Sequence, residues 1–106
     1  MDKKITLEEI REAQAEIAAE MADEGQNKKA RVGLEKASIH LRNLESLLVA
    51  TVEKQLIVSL KSETLALHAL TEEMDRTSRK LATITGILRK IVRRTGQIID
   101  ILEMVK

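Results

Sequence analysis

The chain has 106 residues, 43% hydrophobic and 33% charged, with no Phe, Tyr, Trp, Pro or Cys and a formal net charge of +1. This length allows one domain, residues 1–106, with a modest core. The composition excludes a disulfide framework and thiolate chemistry, removes aromatic stacking as a grip on single-stranded nucleic acid, and is too aliphatic and too nearly neutral for a disordered chain.

What remains is rich in Leu, Ile, Val, Ala, Glu, Lys and Arg, the composition of long helices and coiled coils. With no Pro and four Gly, helices meet few breakers. Charge is unevenly placed. Residues 1–27 carry three basic and eight acidic side chains (net −5), residues 28–62 carry seven and three (net +4), and residues 63–106 carry eight and six (net +2). The first residues run into a charged helix with no apolar leader segment, which makes a cytoplasmic location the expectation. The most apolar stretch, Leu41 to Leu60, is interrupted by Arg42, Glu45, Glu53 and Lys54, so no transmembrane span is expected.

The first helix is predicted over residues 7–24. Thr6-Leu7-Glu8-Glu9 has the form of a capping box with Thr6 as N-cap, and Ile5 and Ile10 are placed for a hydrophobic staple. Its buried stripe is Ile10, Ala13, Ile17 and Met21. Glu12, Glu16, Glu20 and Glu24, each four apart, form a ridge that repels itself and calls for a basic neighbour. That neighbour is expected to be the basic remainder of the chain. Gly25 is the expected C-terminal stop.

A second helix is predicted over residues 28–61, with Asn27 available as its cap. Leu34, Ala37, Leu41, Leu44 and Leu48 hold a 3/4 spacing, after which Leu47, Val49, Val52, Leu56, Ile57, Val58 and Leu60 spread the apolar surface around the helix. A helix apolar on more than one side is surrounded by others. Lys61-Ser62-Glu63-Thr64 has cap chemistry and is taken as the next turn; Leu70-Thr71-Glu72-Glu73 offers nearly the same.

The third helix, residues 64–105, carries the most regular pattern in the chain: Leu81, Ile84, Leu88, Ile91, Thr95, Ile98, Leu102 and Val105, alternating steps of three and four. Leu at a and Ile or Val at d disfavour a parallel dimer, and the flanking Ile87, Val92, Ile99 and Ile101 need more than one neighbour. Thr95 is one mildly polar layer in this stripe, explained by a bond to its own helix carbonyl or by a role in register. Gly86 and Gly96 lie off the stripe, which implies either local bending or the close approach of another backbone.

Site chemistry is sparse. The Glu-x-x-His pattern of bundle metal sites is absent, because Ala37 and Leu65 stand three before His40 and His68. His68 and Glu72 read as an exposed helix pair and His40 as a rim histidine. Ser38, Ser46, Ser59, Ser62 and Ser78 fit helix surfaces or caps, with no base and orienting group at catalytic spacing. The four glycines are too scattered for a phosphate loop. No catalytic residue, metal or cofactor is therefore assigned. Arg76, Arg79, Lys80, Arg89, Lys90, Arg93 and Arg94 form a basic surface away from the stripe, a candidate contact for an anionic partner such as a phosphate backbone.

Taken together, these patterns predict an all-α protein: a three-helix antiparallel bundle with a coiled-coil-like C-terminal helix roughly 60 Å long. So long a helix, beside a short first one, predicts assembly into a homodimer or larger bundle through the stripe from Leu81 to Val105. The expected function is a non-enzymatic protein–protein interaction module, such as a scaffold, adaptor, small chaperone or inhibitor. The alternative is a nucleic-acid accessory protein using the basic surface.

Overall fold

The computed structural model describes residues 3–22, 28–49, 54–77 and 81–104. These form four α-helices and no strand: α1 (Lys3–Met21), α2 (Lys28–Val49), α3 (Lys54–Thr77) and α4 (Ala82–Met104). The all-α expectation holds, but the three-helix division does not. The predicted helix over 28–61 is two helices divided within 50–53, and the predicted helix over 64–105 is two helices divided within 78–80. Lys61 to Thr64, taken as a turn, lies inside α3, as does the alternative at Leu70 to Glu73.

Each helix supplies one stripe at 3/4 spacing to a shared core. The stripes are Thr6, Ile10, Ala13 and Ile17 on α1; Ala30, Leu34, Ala37, Leu41, Leu44 and Leu48 on α2; and Leu60, Thr64, Leu67, Thr71 and Met74 on α3. Leu81, just before α4, together with Ile84, Leu88, Ile91, Thr95 and Ile98 of α4, completes the set. Helix α1 packs on α2 and α4, and α3 packs on α2 and α4, so the helices follow one another around a square. Facing pairs run in opposite directions: His40 meets Glu63 while Gly33 meets Met74, and Lys61 meets Glu103 while Asp75 meets Arg89. The result is an up-down-up-down bundle with overall dimensions of 49 × 21 × 18 Å.

The energetic weight lies in that core. A fully buried Leu or Ile contributes about 1.5–3 kcal/mol, whereas a solvent-exposed ion pair contributes about 0–1 kcal/mol. Many such side chains are water-free here, among them Leu34, Leu41, Leu67, Leu88 and Ile91. The wide apolar band read from Leu41 to Leu60 resolves in part into the core faces of two helices, Leu41, Leu44 and Leu48 on α2 and Leu60 on α3, while Val49 and Val58 stay exposed.

The threonines account for the misplaced boundaries. Thr6 is fully buried within α1, which starts at Lys3, so it is a core residue and not the N-cap; Ile5, placed in a staple, is partly exposed. Thr64 donates to the Leu60 carbonyl at 2.7 Å and Thr71 to the Leu67 carbonyl at 2.6 Å, each satisfying its hydroxyl on its own helix. Thr95 donates to the Val92 carbonyl at 3.1 Å and also lies 3.1 Å from the Thr64 hydroxyl, a buried polar contact between α3 and α4. Both explanations offered for Thr95 therefore have a counterpart in the structure. The expected C-terminal stop at Gly25 and cap at Asn27 fall outside the described residues.

The glycines separate into two kinds. A Cβ on Gly33 would come within 3.0 Å of Met74 Cγ, so its missing side chain lets α2 and α3 approach. A Cβ on Gly86 or Gly96 would meet nothing within 4 Å, which removes close backbone approach as their reason. Gly86→Ala and Gly96→Ala should each stabilise the protein by about 0.5–1 kcal/mol. Gly33→Ala should lose that gain to displacement of Met74. Urea unfolding of the three variants checks this ordering; destabilisation by the two surface substitutions would contradict it.

Candidate functional site

The stripe expected to mediate self-association lies inside one chain. Leu81, Ile84, Leu88, Ile91, Thr95 and Ile98 are buried, Leu102 is half-buried, and Val105 lies outside the described residues. Of the flanking residues that required further neighbours, Ile87, Val92 and Ile99 find them within the same bundle, whereas Ile101 stays exposed. Covered in this way, the stripe supplies no argument for a second copy.

Of the seven basic residues expected to form one surface, the five that the structure describes are dispersed. Arg89 turns toward α3, where Nη2 donates to Asp75 Oδ2 at 2.5 Å and lies 3.8 Å from Glu72 Oε1. Arg94 turns the other way and pairs with Glu9 of α1. Lys90 and Arg93 remain exposed between them, with no ion-pair partner among the described residues. Arg76 is exposed near the end of α3, and Arg79 and Lys80 lie outside the described residues. Glu9, Lys90, Arg93, Arg94 and Gln97 line a polar depression of about 260 Å³ between α1 and α4. Two of its four charges already neutralise each other, so it is not an uninterrupted basic track. The expected docking of acidic α1 onto the basic body has a direct counterpart in Glu9 with Arg94, while Arg11 of α1 instead donates to Glu45 of α2 at 3.0 Å.

The histidines behave differently from each other. His40 is half-buried at the α2–α3 seam, with Nδ1 2.6 Å from Glu63 Oε2, and Asn43 Nδ2 donates to Glu63 Oε1 at 3.2 Å. This cluster staples the two helices. His68 is exposed, and its expected partner Glu72 faces Arg89. Among the described residues no group of three or more His, Cys, Asp or Glu is placed to hold a metal ion, and no helix is long and apolar enough to cross a membrane.

Two features were not singled out from the sequence. The first is two exposed aliphatic pairs, one on the outer wall of α2 and one on α3. Val32 and Ile39 on α2 are 43% and 51% exposed, and Val58 and Leu65 on α3 are 69% and 68% exposed. Each pair is seven residues apart, so each repeats on one side of its helix, away from the buried stripe. Ile39 and Leu65 stand at the same height, but Val58 and Leu65 follow the stripe of Lys61 and Glu72, which meets α4, so the pair on α3 is turned away from the pair on α2. The sequence signal was these two seven-residue repeats, masked by the denser core pattern beside them. The exposed charges on α2 are lopsided: Lys28, Lys29, Arg31, Lys36 and Arg42 against Glu35.

The second feature is a cleft of about 560 Å³ at the end of the bundle where α2 begins and α3 ends. Its floor is apolar, made of Ala30, Gly33, Leu70, Met74 and Leu81. Its rim holds Lys28, Lys29, Lys36, Val32 and Glu73.

Electrostatics also tie α3 to α4. The Arg89 guanidinium, by hydrogen bond and then by charge, together with the donated Thr85 hydroxyl at 3.1 Å, holds the Asp75 carboxyl below its ordinary value of 3.8. A carboxyl whose folded value is depressed stabilises the fold above its unfolded value, and that contribution is lost as pH falls through the folded value. The Asp75→Asn variant should therefore differ from the parent most at neutral pH, and the difference should shrink progressively as pH falls below about 3.8. Melting temperatures across an acid pH series check this; a pH-independent difference would contradict it.

The chain matches no protein family, no curated protein and no solved structure.

Proposed function

We propose that this protein is a non-enzymatic helical interaction module that docks an acidic amphipathic helix of a partner protein along the outer wall of α2. The observation that carries this reading is the pair Val32 and Ile39, seven residues apart and exposed on the side of α2 that faces away from the core. Aliphatic side chains repeated at helical spacing on the outside of a folded bundle cost solubility and add nothing to the core, and contiguous exposed apolar surface marks interaction sites. A helix laid on this wall would contact them through its own stripe of anchors.

The charge on α2 supports the choice of occupant. Five exposed cations against one exposed anion flank Val32 and Ile39, so acidic residues beside the partner's apolar stripe gain favourable pairing, and a basic helix is repelled. The scaffold, adaptor and inhibitor roles all reduce to this one act of docking. The nucleic-acid reading is less well supported, because Arg89 and Arg94 are engaged by acidic side chains of the same chain.

Two designed helical peptides test the proposal, alike in a leucine stripe but flanked by glutamate in one and lysine in the other. Fluorescence anisotropy should show binding of the acidic peptide and not of the basic one. Val32→Asp with Ile39→Asp should weaken that binding about tenfold or more, the effect of losing central anchors, while leaving the melting temperature close to the parent's because both sites are exposed. Equal binding of both peptides, or an unaffected double variant, would contradict the proposal.

A further inference from the structure

We infer that the cleft at the Lys28 end of the bundle is a binding site for a small amphipathic anion, a single alkyl chain ending in a carboxylate. The cleft shares Val32, Lys28, Lys29 and Lys36 with the docking wall of α2, but its ligand is held by the apolar floor of the bundle end, which the docking wall does not use.

The cleft has two chemically distinct parts. Its floor, which includes Ala30, Leu70, Met74 and Leu81, offers no charged group, and at about 560 Å³ the cavity is of the size that holds small organic ligands, between helices of a bundle. Among the described residues its rim places Lys28, Lys29 and Lys36 around the mouth against the single acid Glu73, a net positive charge. An apolar chain with no charge would leave the ammonium groups unused. A compact polar anion would leave the floor unused. A ligand with both parts engages both surfaces.

The floor is also built to adjust. Gly33 has no side chain, and Met74 lies where a Cβ would otherwise contact it at 3.0 Å. Met74 is unbranched, with three rotatable bonds and a polarisable thioether, the side chain best able to reshape around an inserted chain. Met74 is nearly water-free without a ligand, so an alkyl chain would enter by displacing its flexible end and not by filling a rigid hole. The lysine stems would line the entrance with methylenes while keeping their ammonium groups at the mouth.

The test uses the full chain with its methionine methyl groups labelled for NMR. Decanoate, kept below its micelle concentration, should shift the Met74 methyl resonance saturably while those of Met21 and Met104 stay in place. Octanoate should bind more weakly by about an order of magnitude, since each buried methylene is worth about fourfold in affinity. Decyltrimethylammonium, with the same chain and the opposite charge, should not bind. The triple variant Lys28→Gln, Lys29→Gln, Lys36→Gln alters exposed helix positions only, and its decanoate affinity should fall about tenfold or more, the loss of roughly one charged contact. An unmoved Met74 methyl, equal binding of the cationic analogue, or an unchanged affinity in the triple variant would each overturn the inference. So would retention on phosphatidylglycerol vesicles without binding of monomeric decanoate, which would assign the lysines to a lipid surface and leave the cleft empty.

Discussion

The structure depends on burying four aliphatic stripes against one another within a single chain. With no aromatic side chain available, volume must be filled by Leu, Ile, Ala and Met, and such side chains fill a core only when every stripe faces the same axis. The stripe from Leu81 to Ile98 sets the demand, because its flanking Ile87, Val92 and Ile99 are apolar too. A single facing helix leaves these in water. Neighbours on two sides and one across the diagonal cover them, and α1, α2 and α3 supply that environment. The ion pairs along the seams, such as Arg11 with Glu45 and Lys61 with Glu103, join partly exposed side chains and add little beside this burial.

The core stripes were legible in the sequence because aliphatic spacing is a direct consequence of helix geometry. Ile10, Ala13 and Ile17, Leu34 to Leu48, and Leu81 to Ile98 all take the buried positions that their spacing implies. The start of α2 at Lys28 was likewise legible from the Gly-Gln-Asn stretch before it. The other two breaks were not. Neither Gly nor Pro stands at 50–53 or 78–80, and Met74 and Leu81 are seven residues apart, so the heptad register runs on across the break as if one helix continued. Threonine chemistry misled in the opposite direction. A hydroxyl that caps a helix and one that returns its proton to the carbonyl a turn earlier look alike in sequence, so Thr6 and Thr64 imitated boundaries while occupying the core.

The error in helix number carried directly into the expectation of assembly. One 42-residue helix would have had apolar surface to spare, whereas α3 and α4, with 24 and 23 residues, cover each other. The candidate interaction surface moves accordingly. It leaves the stripe, which is interior, and the basic face of α4, where Arg89 and Arg94 are drawn to opposite sides by Asp75 and Glu9. It falls instead on α2, where Val32 and Ile39 are exposed beside an excess of positive charge. The cleft beneath Lys28, Lys29 and Lys36 extends the same theme of apolar surface bounded by cations.

The central claim is that one chain completes its own core. Light scattering on a dilution series, combined with thermal melting followed by circular dichroism, tests it most directly. A chain that completes its own core has a mass of 11.9 kDa with full helical signal and a melting temperature independent of concentration. A mass of two or more chains wherever the protein is folded, with a melting temperature that falls on dilution, would contradict it.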